Sequence, residues 1–600
     1  MNNRREFLKK GAIAGIALSG IAATNSELSS QVRVNNLSKP QNMNTGKGYQ
    51  FISFDTTQSP GLLTLKAINI FYRILSERTG LDFTKTGENR LTIILKTVSQ
   101  SMPPEAFRVE CTGEHLITIT SGDPNGILYG IGKLLHSSIL NDSGFTPGKW
   151  QGLSVPEKLQ RNIYFATHFH NFYHTAPIGK VTRYIEELAF WGYNNIEVWF
   201  DMHGFEGIND PKAAAMLDRL ALIFKAGKDV GMKISICMLA NEGYNSSPIE
   251  LRAKPPKQIR LRGCYGVEIC PSQPGGTELI IKQVTEELNA FNSRGVIVDF
   301  IVLWPYDQGG CGCDRCTPWG SNGYLKLSRI ITKVARKKIP GIKIILSTWL
   351  FDCVENEGEW TGVAKAFKEE LPWVDYIQAD SHELFPRYLM NNPVPGNLPL
   401  LNFPEISMWG SHPWGGFGAN PLPVRFQKLW DEVKDKVAGG APYSEGIFED
   451  INKVIYSQFY WERDKSATKT MKEYVSFEFS HDHADSILEA IAIIEKNHGL
   501  RAAFKAGTPP KFYLPAEDHG AEKAYELLKT VDHNLSDRTK KSWRWRILLL
   551  RALFDYELRL NKGIPNDEVE AGFRELTMMY HAEQADDSVR PPTNNLNEKQ

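Results

Sequence analysis

Between Arg161 and Phe479 eight short apolar runs alternate with longer stretches, most of them with apolar residues at helical spacing. The runs cover Asn162–Thr167, Asn195–Phe200, Met232–Met238, Val298–Trp304, Ile342–Thr348, Trp373–Gln378, Leu398–Phe403 and Gly439–Tyr443. Runs this short, rich in β-branched residues and bounded by Gly and Pro, are predicted strands buried on both faces. Helices fit between most of them, as over Ile178–Trp191, Pro211–Val230 and Gly276–Ser293. Eight strands with helices between most of them predict a (β/α)8 TIM barrel with long loops. An open doubly wound sheet is the structural rival. No Gly-x-Gly-x-x-Gly turn follows the first strand to support it.

Six hundred residues suit two or three domains. Residues 48–156 predict a small α/β domain. Its helix runs over Leu62–Arg78, its strands over Leu91–Lys96 and Leu116–Thr120, and a second helix over Asn125–Ser137. That second helix carries Gly126-Ile127-Leu128-Tyr129-Gly130-Ile131-Gly132, whose small residues permit close packing on a sheet. The barrel takes 161–479. Residues 480–585 predict a helical C-terminal domain, with apolar stripes along Ala484–Lys496, Ala521–Val531, Trp543–Leu560 and Val569–Tyr580. The chain from Ala585 on is polar and loose.

The start is not part of the fold. Asn3-Arg4-Arg5-Glu6-Phe7-Leu8-Lys9-Lys10, followed by the mildly apolar Gly11 to Ala23, reads as a twin-arginine signal over residues 1–24. Asn25 to Lys47 is a polar leader. No later run of about 18 apolar residues suggests a membrane span. The expected location is the periplasm or the medium. Lys plus Arg equals Asp plus Glu at 69 each, and no basic stripe points to nucleic acid. Fourteen Trp, many beside loop carboxylates, suit sugar rings.

A barrel gathers the residues after its strands on one face. In chain order these are His168 and His170; Trp199, Asp201 and His203; Asn241 and Glu242; Tyr306 and Asp307; Trp349 and Asp352; Asp380, His382 and Glu383; Glu405, Trp409 and Trp414; and Glu445, Glu449 and Asp450. Carboxyls and aromatics around one mouth are what glycoside hydrolysis needs. One carboxyl protonates the leaving oxygen while another activates water, attacks the anomeric carbon, or holds an acetamido group that attacks instead. Asp307, Glu405 and Asp380 are the catalytic candidates. His168, His170, Trp199, Asp201, Glu242, Tyr306, Trp349, His382, Trp409, Trp414 and Glu445 are the substrate-binding candidates. A carboxylate after a strand also caps helices. Asp210, before Pro211, and Asp450, before Ile451, read as caps, and Glu445 equally well as a loop-holding residue.

Of eight cysteines, Cys311-x-Cys313-x-x-Cys316 forms a dense set. Three thiolates at this spacing, with Cys270 (or Cys264) from the preceding loop, can bind one structural Zn2+. Disulfides are the alternative in an oxidising compartment. Adjacent Cys-x-Cys pairs bridge poorly, and export after folding permits zinc loading in the cytosol.

The N-terminal pattern resembles the module preceding the barrel in glycoside hydrolase families 20, 67 and 84. Tyr306-Asp307-x-Gly-Gly-Cys-x-Cys-x-x-Cys and Tyr443-Ser444-Glu445-Gly446-Ile447-Phe448-Glu449-Asp450, with Trp461 and Glu473-Tyr474, resemble loops of the exported barrel proteins grouped with family 163. That resemblance implies action on N-acetylglucosamine-containing glycans. Family 20 carries an Asp-Glu pair after the fourth strand, where this chain has Asp307-Gln308. Asp375-Tyr376-Ile377-Gln378 with Asp380, and then Glu405, are similar to the base carboxylates of family 67 α-glucuronidases. The expectation is an exported glycosidase acting on an oligosaccharide that contains N-acetylhexosamine or uronic acid, with no cofactor required for the chemistry. A non-catalytic carbohydrate-binding barrel and a hydrolase using zinc directly stand as alternatives.

Overall fold

The computed structural model describes residues 48–98, 102–167, 171–254, 267–306, 310–352, 358–382, 384–407, 418–503 and 511–580. The expected signal, the leader and the tail from Ala585 lie outside them. Among the described residues no helix is long and apolar enough to cross a membrane.

The N-terminal region contains β1 (Phe51–Thr56), α1 (Leu62–Thr79), β2 (Arg90–Thr97), β3 (Phe107–Gly113), β4 (Leu116–Ser121), α2 (Pro124–His136), the hairpin β5–β6 (Ile139–Asn141, Gly144–Thr146) and β7 (Gly152–Ser154). Its five-stranded sheet runs β1-β2-β4-β3-β7, with β3 antiparallel to both neighbours. Asp123 caps α2 by accepting from Gly126 N at 2.8 Å. Of the small residues of α2, Gly130 serves the expected packing on the sheet, whereas Gly132 lets the helix approach the barrel helix that ends at Phe190. A Cβ on Gly130 would come within 2.6 Å of Ile119, and one on Gly132 within 2.5 Å of the Phe190 carbonyl.

Eight parallel strands then close a barrel: β8 (Gln160–Phe165), β9 (Asn195–Trp199), β10 (Lys233–Leu239), β11 (Phe300–Trp304), β12 (Lys343–Ser347), β13 (Tyr376–Asp380), β14 (Leu400–Phe403) and β15 (Gly439–Gly440), which pairs back onto β8. Closure depends on a glycine. Gly439 has φ 148°, and a Cβ there would lie 1.8 Å from the Gln160 carbonyl oxygen. The eighth predicted strand is split, because Pro442 has no N–H to give the ladder. Tyr443–Ser444 resumes pairing with β8 as β16. The register aligns Tyr164 with Glu197 and Glu197 with Ser235. The alternate residues Ile196 and Val198 are fully buried.

Around the barrel lie α3 (Ile178–Phe190), α4 (Pro211–Asp229), α5 (Gly276–Ser293), α6 (Gly323–Lys338), α7 (Glu359–Glu369), α8 (Pro423–Val433) and α9 (Asp450–Trp461). Asp210 caps α4 as expected, accepting from Lys212 N at 2.9 Å. The C-terminal region contributes α10 (Ala467–Glu478), α11 (Ala484–Lys496), α12 (Ala521–Asn534), α13 (Trp543–Leu560) and α14 (Asp567–Tyr580).

Asp450 corrects its sequence reading. It is a buried anion, not a cap: Arg544 Nε lies 2.7 Å away, and Tyr184 and Tyr474 donate to it at 2.6 and 2.7 Å. One carboxylate thereby joins α3, α9, α10 and α13 behind the eighth strand. Asp375 stands before β13, at the end away from the mouth, where it accepts from Ile344 N and pairs with Arg336 and Lys343.

Candidate active site

The mouth begins with an aromatic floor. Trp304 at the end of β11 stacks on Trp349 after β12, with centroids 5.5 Å apart and an interplanar angle of 30°. Phe403, at the end of β14, sets its edge against both. Tyr164 and Tyr443 stack at 5.3 Å, and both touch Phe403. Trp304 and Phe403 are the last residues of β11 and β14, and a barrel gathers the ends of its strands on one face.

Three carboxyls border this floor. Asp380, last residue of β13, accepts from His382 N at 3.0 Å and meets His382 Nδ1 at 2.9 Å. The His382 ring lies 4.4 Å from that of Trp349. Glu405 is 3% exposed, and its Oε1 accepts from Ser407 N at 2.7 Å and Ser407 Oγ at 2.8 Å. Glu445 is fully buried and accepts from the Tyr443 hydroxyl at 2.6 Å. Burial pushes the Tyr443 phenol well above its ordinary pKa, and the charges of Glu445 and Glu405 raise it further. Tyr580 of α14 donates to the Glu445 carbonyl at 3.0 Å, so the C-terminal region backs this part of the rim.

A second cluster stands after β9 and β10. Glu242 accepts from the Trp199 indole at 3.0 Å and faces His203 Nδ1 at 3.3 Å, while Asp201 approaches the same nitrogen to 2.6 Å. Burial opposes a charge on His203, but bonds to Asp201 and Glu242 outweigh it and raise the imidazole to about 10. Burial also raises Glu242, to about 7, against the lowering effect of His203. These three groups lie close enough together to share a cation.

Tyr306, expected among the sugar contacts, is buried and gives its hydroxyl to Glu359 of α7. Glu359 also accepts from Gly320 N and Asp352 N, so the pair braces the loops after β11 and β12. Asp307, His168, His170, Trp409, Trp414, Glu383 and Cys264 lie outside the described residues. Cys270, Cys311, Cys313 and Cys316 come together beside the mouth, their sulfurs all within 4.8 Å of one another.

Sequence reasoning passed over His203 as a site residue, although it stood two residues past Asp201. It also missed Glu197, which shares the barrel-facing side of β9 with Trp199. That carboxyl is fully buried, and burial raises it to about 8. An acidic residue inside an otherwise apolar strand was the available signal.

No family model matches this chain, and no curated protein matches it in sequence. Solved structures do match its fold. A GH138 enzyme targeting pectin rhamnogalacturonan II aligns with TM-score 0.53 at 11% identity, over 88% of each chain. A GH115 4-O-methyl-α-glucuronidase with specificity for decorated arabinogalactans gives 0.53 at 11% identity, over 90% of this chain and 77% of its own. A GH89 protein from Clostridium perfringens, in complex with its substrate GlcNAc-α-1,4-galactose, gives 0.56 at 11% identity. That alignment covers 86% of this chain but 65% of the GH89 protein, under two thirds of its length. At such identities the likeness establishes the (β/α)8 fold shared with these proteins.

Proposed function

We propose that this chain is a glycoside hydrolase, exported by the twin-arginine route to the periplasm or medium, that cleaves glycosidic bonds in a glycan by carboxylate acid–base catalysis. The observation that carries the reading is the mouth itself. Asp380 and Glu405, at and after the ends of β13 and β14, border a floor of stacked aromatic rings, and Glu242 stands on the loop after β10. In an eight-stranded barrel β10 and β14 stand opposite each other. On this reading a sugar rests on the Trp304–Trp349 floor beside Asp380 and Glu405, with Glu242 on the loop after the facing strand.

The roles follow from this placement. Glu242, raised to about 7 by burial, keeps a proton available near neutrality for the leaving oxygen. Glu405 and Asp380 supply the carboxylate that activates water or attacks the anomeric carbon as positive charge develops there. Asp307 stays among the catalytic candidates on its place in the sequence. The indole and phenol faces stack on sugar C–H surfaces. The GH115 and GH89 neighbours act on glucuronosyl and GlcNAc linkages, and the loop resemblance to family 163 also favours N-acetylglucosamine. Uronic acid and N-acetylhexosamine are accordingly the sugars to try first.

The test is hydrolysis of a panel of aryl glycosides and glycans by the full chain, followed by Glu405→Gln and Glu242→Gln. Turnover of one sugar class is expected, with kcat reduced about 10²–10⁴-fold in each variant and product binding retained. A wild type that binds glycans but turns none over would instead make this barrel a carbohydrate-binding protein.

A further inference from the structure

We propose that Cys270, Cys311, Cys313 and Cys316 hold one Zn2+ as a structural clamp between the loops after β10 and β11. Cys270 Sγ lies 3.8 Å from Cys313 Sγ and 4.0 Å from Cys316 Sγ. A tetrahedral zinc with Zn–S arms of about 2.3 Å has S···S edges of about 3.8 Å. A disulfide requires about 2.05 Å. The sulfurs therefore have the spacing of ligands around a common centre, not of bonded pairs.

Burial and second contacts agree. Cys270, Cys311 and Cys316 are buried, and Cys313 closes the set from the partly exposed side. Ser272 Oγ lies 3.1 Å from Cys316 Sγ, where a hydroxyl can donate to a thiolate and temper the negative charge of a four-thiolate site. Gly312 N donates to Lys254 O at 2.8 Å, linking the two loops a second time. Four thiolates complete the tetrahedron and leave no position for water. The zinc is a clamp, and the alternative of a hydrolase working through these cysteines loses its basis.

The clamp acts on the mouth through short connections. Glu268, two residues before Cys270, forms an antiparallel bridge with Glu242, and Ile269 N donates to Asn241 O at 2.7 Å. On the other loop, the Trp319 indole donates to Pro305 O at 2.6 Å, three residues past Cys316. Zinc thus fixes the segment that carries Glu242 relative to the end of β11. The proposal stands or falls independently of glycosidase activity.

Metal analysis of the full chain, purified without chelators, provides the test. About one zinc per chain is expected, and peptides bearing the four cysteines should alkylate without reductant once the protein is denatured in chelator. A cobalt-grown sample should show the thiolate-to-metal charge-transfer band. Cys313→Ser should lower zinc content at least tenfold, while Cys237→Ser, a buried cysteine outside the cluster, should leave it unchanged. Metal-free protein whose cysteines alkylate only after reduction would replace the zinc with disulfides. Undiminished zinc in Cys313→Ser would also overturn the assignment. Should that variant fail to fold, the metal content and alkylation pattern of the wild type still decide.

Discussion

The hydroxyl of Tyr443 and the carboxyl of Glu445, two residues apart, are joined by a 2.6 Å hydrogen bond at the closing edge of the barrel. The backbone of Tyr443 also forms a parallel bridge with Glu405, so this residue links the eighth strand to the segment after the seventh. Tyr443→Phe removes the donor and leaves a buried acceptor short of a partner, at a cost of about 1–3 kcal/mol. A lower thermal midpoint is expected, together with a changed pH profile of kcat/KM on the best aryl glycoside. A variant matching the wild type in both would deny Tyr443 any hold on the two carboxyls.

Asp450 carries the contact between the barrel and the C-terminal helices. Arg544 keeps charge buried against it, with Glu187 a second partner at 2.7 Å. Asp450→Ala leaves that guanidinium to Glu187 and Glu478, so the loss should fall below the roughly 3–5 kcal/mol of a buried pair broken outright. Burial alone would raise the Asp450 pKa, but Arg544 and Lys453 carry it below the ordinary value. A depressed carboxyl stabilises the fold above the unfolded-state pKa of 3.8, and that contribution fades as pH falls through the folded value. The thermal midpoint of the wild type should therefore drop in acid by more than that of Asp450→Asn. Parallel acid curves for the two proteins would contradict the pairing.

His203 should remain an imidazolium well past neutral pH. Its folded pKa of about 10 exceeds the ordinary 6.5, so its stabilisation is full below 6.5 and is lost as pH rises through 10. Histidine NMR, with His203→Gln to assign the signal, should show this ring still protonated at about pH 8, where histidines of ordinary pKa are neutral. Asp201→Asn should move the transition toward neutrality. Ordinary titration in the wild type would mean that the two carboxylates do not bracket the ring.

The elements were legible wherever periodicity ran unbroken. Helices α11 and α13 begin and end on the predicted residues, since each carries its own apolar stripe. Strand β13 was placed too early because Trp373 and Val374 are apolar yet precede the paired residues. At the mouth, Glu405 could be read from its place after an apolar run. The contact between His203 and Glu242 could not, because 39 residues separate them and strand register decides the meeting. Asp210 and Asp450 look alike locally, each an acid before a helix. Only the fold distinguishes them, since the partner Arg544 stands 94 residues beyond Asp450.

Glu197 gives the barrel interior its own pH dependence. The carboxyl is fully buried, and neither oxygen has a hydrogen-bond partner among the described residues. Burial alone raises it from 4.5 to about 8. A raised carboxyl binds its proton in the folded state and releases it in the unfolded chain, so stability declines with pH between those two values. The slope from this one group is at most about 1.4 kcal/mol per pH unit. Glu197→Gln keeps the shape and removes the titration. Relative to the wild type, the variant should gain stability steadily from about pH 5 to pH 8, and the gain should level off above the folded pKa. Thermal midpoints of both proteins at half-unit pH steps would show the divergence. A constant difference across that range would mean that Glu197 is ionised inside the barrel.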